Sequence, residues 1–129
     1  MKERHGVLGR KYIDFLSARV CVMLTDCAPE GFREEAVAGV YGQPKDGNIF
    51  GIWFNGLVCP DEVVHECWHL FMSIMAAADD KEHIFLELND EIYAYSFHTL
   101  FNDVLDAVTG LKAYKELWNK EQKKKGKKK

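Results

Sequence analysis

Three residues near the middle of the chain have the types and the spacing that metal-assisted chemistry requires. They are His65, Glu66 and His69, within the largely apolar segment VVHECWHLF at positions 63–71. On a helix, side chains four residues apart lie one turn above each other, so both imidazoles can reach one ion. The Glu66 carboxylate lies about 100° further round the helix than His65, where it can hold a water molecule beside the ion. The spacing therefore indicates two ligands of a zinc site and a general base.

The residues around this motif predict the helix that the spacing requires. Pro60 suits the first position of a helix, and the acidic residues Asp61 and Glu62 suit its positive N-terminal end. No Gly or Pro interrupts the sequence from there to Ala78. The apolar spacing predicts one buried face, formed by Val64, Cys67, Phe71, Ile74 and Met75. The alternative is two ordinary histidines on a core helix, although a buried Glu between them is rare unless it has a partner or a task.

The motif and a second predicted helix together resemble the zincin metallopeptidases. His65-Glu66-x-x-His69 is followed by the segment DEIYAY at positions 90–95. Residues 91–94 of that segment fit the Glu-x-x-Ala pattern of the glutamate-ligand branch, the gluzincins. The chain is similar to their minimal members, the small phage-type and ImmA/IrrE-like proteins. The resemblance implies that Glu91 is the third zinc ligand and that the reaction is hydrolysis of a peptide or amide bond.

Several residues in the sequence are candidates for the third zinc ligand. Catalytic zinc usually takes three protein ligands and keeps one position for water. We favour Glu91, and the alternatives are His98 two turns later, His83 in the connection, and Cys27, since peptide deformylases use an upstream cysteine. Tyr95 and His98 follow Glu91 by one and two turns, so both can face the metal and stabilise an oxyanion. Packing of Tyr95 in the core is the alternative for that residue.

The remaining patterns predict an α+β fold, in which a small β-sheet with a hairpin is followed by two core helices that carry the metal site. Three segments rich in β-branched and aromatic residues are predicted strands: 19–25, 36–41 and 48–54. A Pro/Asp/Gly turn at 42–47 joins the last two into a hairpin. Residues 7–17 are ambiguous, and we favour a helix there.

The second half of the chain is predicted to be helical. After Ala78 a connection at 79–88 leads to a second helix, which begins near Asn89 or Asp90 and ends at Gly110. Residues 111–118 can form a further short helix. We expect a single domain over residues 1–120 and a disordered lysine-rich tail over 121–129.

The charge distribution is strongly asymmetric. Residues 1–111 hold 8 basic and 18 acidic side chains, a net charge of −10, whereas residues 112–129 hold 9 lysines and 2 glutamates, a net charge of +7. Lysine tails bind phosphate by counterion release with little sequence preference. Weak contact with nucleic acid is therefore one hypothesis for the tail, and a solubilising role is the favoured alternative.

The composition also restricts where and how the protein works. No apolar run is long enough to span a bilayer and the first residues include no signal-peptide segment, so we expect a cytoplasmic protein without membrane contact. The four cysteines, at 21, 27, 59 and 67, form no Cys-x-x-Cys pair and are expected to be reduced and buried. A zinc-dependent metallopeptidase acting on a peptide or protein is the favoured function. The alternative is a non-catalytic zinc module that binds a partner.

Overall fold

In the residues that a computed structural model describes, the chain forms a four-stranded mixed β-sheet with three helices, which confirms the predicted α+β class. The structure describes residues 6–16, 18–43, 49–82 and 90–127, except for the side chains of Gln43, 78–82, 90–93 and Lys127. The strands are β1 Val7–Phe15, β2 Ala18–Thr25, β3 Ala38–Gln43 and β4 Ile49–Asn55. The helices are α1 Pro60–Glu82, α2 Asp90–Thr109 and α3 Lys112–Lys127.

The strand order places β3 at one edge of the sheet. The order is β1-β2-β4-β3, with β2 parallel to β4 and the other two neighbouring pairs antiparallel. The predicted hairpin is confirmed as the antiparallel pair β3 and β4, and its turn at 44–48 lies outside the described residues. The strand predicted at 19–25 is also confirmed as β2, which has neighbours on both sides and is buried along most of its length.

The helix favoured for residues 7–17 is wrong, since these residues form β1. This strand pairs with β2 from Val7 opposite Thr25 to Phe15 opposite Ala18. Ile13 and Phe15 pack on the helix side of the sheet, which is the two-residue alternation of a strand. Pairing with β2 supplies backbone hydrogen bonds that the local sequence does not indicate. Their contribution to stability outweighs a weak helical pattern, which Gly9 already interrupts.

The core lies between one face of the sheet and the inner faces of the helices. Alternate residues of β2 and β4 supply the sheet side: Val20, Val22, Leu24, Phe50, Ile52 and Phe54. The predicted burial of Cys67, Phe71, Ile74 and Met75 on α1 is confirmed. The prediction for Val64 is wrong, because Val64 is 42% exposed and Val63 takes the buried position. Val63 is four residues before Cys67 and therefore continues the same buried face at this end of α1.

The motif helix is one turn longer than its sequence predicted. α1 continues through residues 79–82, which were assigned to the connection, because Asp, Lys and Glu tolerate a helix and no Gly or Pro stops it. α2 begins at Asp90 as predicted, and its end before Gly110 is confirmed, with the Gly110 N–H bonded to the carbonyl of Asp106. Among the described helices none is long and apolar enough to cross a membrane.

The structure continues α3 as far as Lys127, through residues whose composition predicts a disordered tail. The first half of α3 is anchored by Tyr114, which is buried and whose hydroxyl accepts a hydrogen bond from the Val58 N–H at 3.3 Å. Beyond it, Lys, Glu and Gln are good helix formers, and lysines suit the negative C-terminal end of a helix. Residues 128–129 lie outside the described part.

The second face of the sheet is covered in part by the segment 26–37, which connects β2 to β3. Its residues Ala28, Phe32 and Ala36 pack on Cys21, Met23 and Trp53. The Phe32 ring meets the Trp53 indole edge-on, with centroids 5.1 Å apart. A Cβ atom on Gly39 would lie 2.7 Å from the Phe32 ring and 2.7 Å from the Trp53 indole nitrogen. Glycine at this position allows both rings to approach the edge strand.

Gly39→Ala is therefore expected to destabilise the fold by about 1–3 kcal/mol, because Trp53 is fully buried and has no room to move. Chemical denaturation followed by circular dichroism measures the change. The control is Gly6→Ala, where an added Cβ meets no described atom within 4 Å. Equal stability of the two variants would contradict the close packing at Gly39.

Candidate functional site

The two histidines of the motif converge at the exposed surface of α1. Their Nε2 atoms are 3.2 Å apart, and the rings lie nearly perpendicular with centroids 4.8 Å apart. Two nitrogens bound to one zinc ion at about 2.0–2.1 Å, with a tetrahedral angle of about 109°, are about 3.3 Å apart. The spacing of His65 and His69 therefore fits two ligands of one zinc ion.

The same separation also fits a hydrogen bond between the two rings. In that arrangement one Nε2 carries a proton and donates it to the other, which must be the deprotonated nitrogen of its tautomer. A zinc ion needs both nitrogens deprotonated. Metal binding and this hydrogen bond therefore exclude each other, although both fit nearly the same separation of the two Nε2 atoms.

Glu66 lies in a groove between α1 and the edge strand β3. The groove has a volume of about 660 Å³ and is lined by Phe32, Gly39, Val40, Glu66, His69, Met72, Ser73 and Ala76. Glu66 is half-buried, and the neighbouring Glu62 lies one turn earlier on α1. Burial and, to a smaller extent, the charge of Glu66 raise the pKa of Glu62. The carboxylate of Glu66 thus shares the groove with one histidine and has a second carboxylate behind it.

Among the described strands, β3 forms the other wall of the groove and has no neighbour on its outer side. The Asn55 N–H bonds to the Val37 carbonyl, so residues 37 and 55 form a hydrogen-bonded antiparallel pair. Because such pairs alternate along a ladder, Gly39 and Tyr41 also bond to β4, and the N–H and C=O of Val40 point outward. An edge strand with free ladder groups can accept an extended peptide as a further strand.

The histidines lie between the groove and the side of α1 that packs on α2. Trp68 marks the α2 side, since its indole packs edge-on against Phe97 with centroids 5.5 Å apart. At about 100° per residue, His65 and His69 lie about 60° and 100° round the helix from Trp68, and Glu66 about 160° round. A ligand carried by α2 and a substrate lying on β3 would therefore approach the histidines from opposite sides.

The third ligand is not settled by the side chains that the structure describes. Glu91 is in the first turn of α2, but its side chain lies outside the described ones, and His83 lies outside altogether. Within the described residues no group of three His, Cys, Asp or Glu side chains is placed to hold a metal. His98 is exposed, with its Nε2 3.4 Å from the Asn102 amide, and Cys27 is half-buried in the segment after β2.

The two α2 side chains that were expected beside the metal, Tyr95 and His98, are exposed to solvent. Tyr95 is 77% exposed, so it does not pack in the core, and His98 also faces solvent. No described residue of α2 lines the groove. Their assignment as oxyanion donors stays a prediction, because it requires a bound substrate to bring the reacting carbonyl toward α2.

The cysteine within the motif is part of the core, as predicted. Cys67 is fully buried, and burial, followed by the charge of Glu66, raises the pKa of its thiol to about 12. It stays protonated at neutral pH, and a zinc ligand must be a thiolate. Cys21 is buried as well, but the expectation for the other two is wrong, since Cys27 is half-buried and Cys59 is exposed.

Several residues of the groove were missed by sequence reasoning. Phe32 lies between two predicted strands, and nothing in the local sequence indicates that its ring reaches the edge strand. Met72 has a signal in the sequence: it is an apolar residue that lies about 100° round the motif helix from Phe71 and about 140° from Cys67, outside the buried face. In the structure Met72 is 48% exposed and lines the groove one turn after His69.

The third ligand is tested by comparing two substitutions on α2. Glu91→Ala is expected to weaken zinc binding by tenfold or more, and His98→Ala by less, because removing a group directly on the metal costs more than removing a neighbour. Competition with a fluorescent zinc chelator measures both affinities. A larger loss in His98→Ala, or no loss in Glu91→Ala, would contradict the assignment of Glu91.

Comparison of the chain with protein-family models, with curated proteins and with solved structures gives no match. The motif and the geometry of the groove are therefore the basis for a proposed function.

Proposed function

We propose that the protein is a zinc-dependent metallopeptidase that hydrolyses a peptide or amide bond. The observation that carries the proposal is the 3.2 Å separation of the His65 and His69 Nε2 atoms beside the groove that contains Glu66. His65 and His69 would hold the zinc ion, and we assign the third position to Glu91. A structural zinc site usually has four protein ligands and does not require a carboxylate in the place of Glu66.

Zinc and Glu66 have different roles in the proposed reaction. When bound, zinc supplies Lewis acidity, which polarises a carbonyl and lowers the pKa of a coordinated water molecule to about 7. Glu66 accepts a proton from the attacking water as the new C–O bond forms at the carbonyl carbon. It then passes that proton to the leaving nitrogen as the C–N bond breaks. One carboxylate thus serves first as general base and then as general acid, and it ends in its starting state.

The substrate we propose is an extended segment of polypeptide that pairs with β3. The outward N–H and C=O of Val40 can bond to the substrate backbone, as in addition of a strand to a sheet edge. The groove walls Phe32, Val40, Met72 and Ala76 are apolar, so an apolar side chain next to the scissile bond would be buried against them. Ser73, His69 and the proposed base Glu66 supply the polar part of the groove.

Val40→Pro tests the role of the edge strand. The substitution removes the outward N–H but no hydrogen bond to β4, and proline is tolerated on edge strands at such positions. We expect the KM for any peptide that the protein cleaves to rise about fivefold or more, as for loss of one hydrogen bond, with unchanged zinc content. The matched control is Val40→Ala, which shortens the side chain and keeps the N–H.

The two outcomes of this comparison lead to different conclusions. If Val40→Pro and Val40→Ala have the same KM and both fold, the substrate does not pair with β3. If the zinc-loaded wild type cleaves no member of a broad peptide library and no protein of a cell lysate, the peptidase proposal fails. The protein would then act as a zinc module that binds a partner without hydrolysing it.

A further inference from the structure

The second half of α3 presents an exposed basic face that the proposed hydrolysis does not use. Lys120, Lys123 and Lys124 are all exposed and define this lysine face. At about 100° and 1.5 Å per residue, they lie within an arc of about 100° and about 6 Å of helix length. Lysines at 125 and 127–129 follow in the sequence. Positive charge is therefore concentrated at one place on a chain whose residues 1–111 carry a net charge of −10.

Among the described residues, this part of α3 buries no apolar side chain, so its helicity depends on the helix-forming tendency of Lys, Glu and Gln alone. Tyr114 and Leu117 pack on the core, but after the half-exposed Trp118 the sequence contains no apolar residue. Helices are stabilised chiefly by burying an apolar face, and like charges four apart, such as Lys120 and Lys124, oppose helix formation. A bound polyanion would relieve this repulsion and stabilise the helix.

The arrangement favours the phosphate backbone of nucleic acid over a membrane. A helix that lies in a membrane interface pairs its lysines with an apolar face of Trp, Phe or Leu, which residues 119–127 lack. Trp118 lies about 120–160° round the helix from the three lysines, so it cannot stack on bases while they contact phosphates. We propose that the lysine face binds duplex nucleic acid through its phosphates, without reading its sequence.

The proposal is tested by binding to a fluorescein-labelled DNA duplex of about 20 base pairs over a range of salt concentrations. Each phosphate neutralised contributes about 0.9 to the slope of log K against log salt. Replacing Lys120, Lys123 and Lys124 by Gln together is expected to reduce that slope by about 2–3 and the affinity at about 50 mM salt by tenfold or more. The matched control replaces Lys11, Lys115 and Lys125, which are exposed but lie off the lysine face, and loses the same net charge.

Three further results test the proposed binding of nucleic acid. Duplex should raise the helical circular dichroism signal of the wild type, and less that of the variant lacking the lysine face. Glu66→Gln should bind DNA as the wild type does, which separates this proposal from the proposed hydrolysis. Equal losses of DNA affinity in the variant lacking the lysine face and in the control would overturn the proposal. Tighter binding to phosphatidylserine vesicles than to DNA, accompanied by a blue shift of tryptophan emission, would also overturn it.

Discussion

Glu66→Gln is expected to lower the rate of peptide hydrolysis by a factor of about 100 or more, the range for loss of a general base. The substitution keeps the shape of the side chain and leaves both histidines in place, but the amide cannot accept the proton of the attacking water. Glu66 is half-buried at the wall of the groove and makes no part of the apolar core, so folding does not depend on its charge. Zinc content and melting temperature should therefore stay near wild type.

The matched control is Glu62→Gln, the same chemical change one turn earlier on the same helix. Glu62 lies outside the residues that line the groove, so its substitution should change the rate by only a few fold. Cleavage products are identified by mass spectrometry after incubation of each zinc-loaded protein with the same peptides. Wild-type rates in Glu66→Gln would mean that the activity belongs to another site or to a contaminant.

The motif helix was predictable because its determinants are local. Pro60 and the acidic residues after it set its start, and the spacing of Cys67, Phe71 and Ile74 set its buried face. The α2 start at Asp90 and the end at Gly110 follow from capping in the same way. Two predictions for this helix were wrong by one residue or one turn: the burial of Val64 and the end of the helix after Ala78. Local preferences are weak at both places.

The strand β1 and the end of α3 differ from the sequence predictions for another reason. β1 is a strand because β2 offers a free edge, and that partner cannot be recognised from residues 7–17 alone. In α3 the lysines and glycine at the end of the chain have the composition of a disordered segment, yet the helix continues from its anchor at Tyr114. Both outcomes depend on contacts made elsewhere in the fold.

The candidate site also combines a part that local sequence determines with a part that depends on the tertiary fold. Spacing alone placed His65 and His69 one turn apart and Glu66 beside them. The groove required knowledge of which strand lies at the sheet edge and of where the Phe32 ring turns, and neither is written in the local sequence. The site is therefore a local motif completed by a wall that only the tertiary fold supplies.

His65→Ala and His69→Ala are each expected to reduce zinc content from about one ion per chain to near zero. Each variant leaves one imidazole from a pair whose Nε2 atoms are 3.2 Å apart, and one ligand fewer lowers the affinity by several orders of magnitude. Zinc should raise the melting temperature of the wild type, since binding to the folded state alone contributes about 2.7 kcal/mol at a zinc concentration 100 times Kd. Both variants should lose this response, because both rings are exposed and their removal leaves the core unchanged.

The control for this loss is Asn102→Ala, which removes an exposed polar side chain from α2 and leaves the histidines of α1 untouched. Elemental analysis of protein purified without chelators, and again after adding zinc, measures the content of all three variants. Retention of one zinc ion by both histidine variants would place the metal elsewhere in the chain. A wild type that takes up no zinc would mean that the close approach of the two Nε2 atoms is only a hydrogen bond between imidazoles, and the peptidase proposal would fail with the metal site.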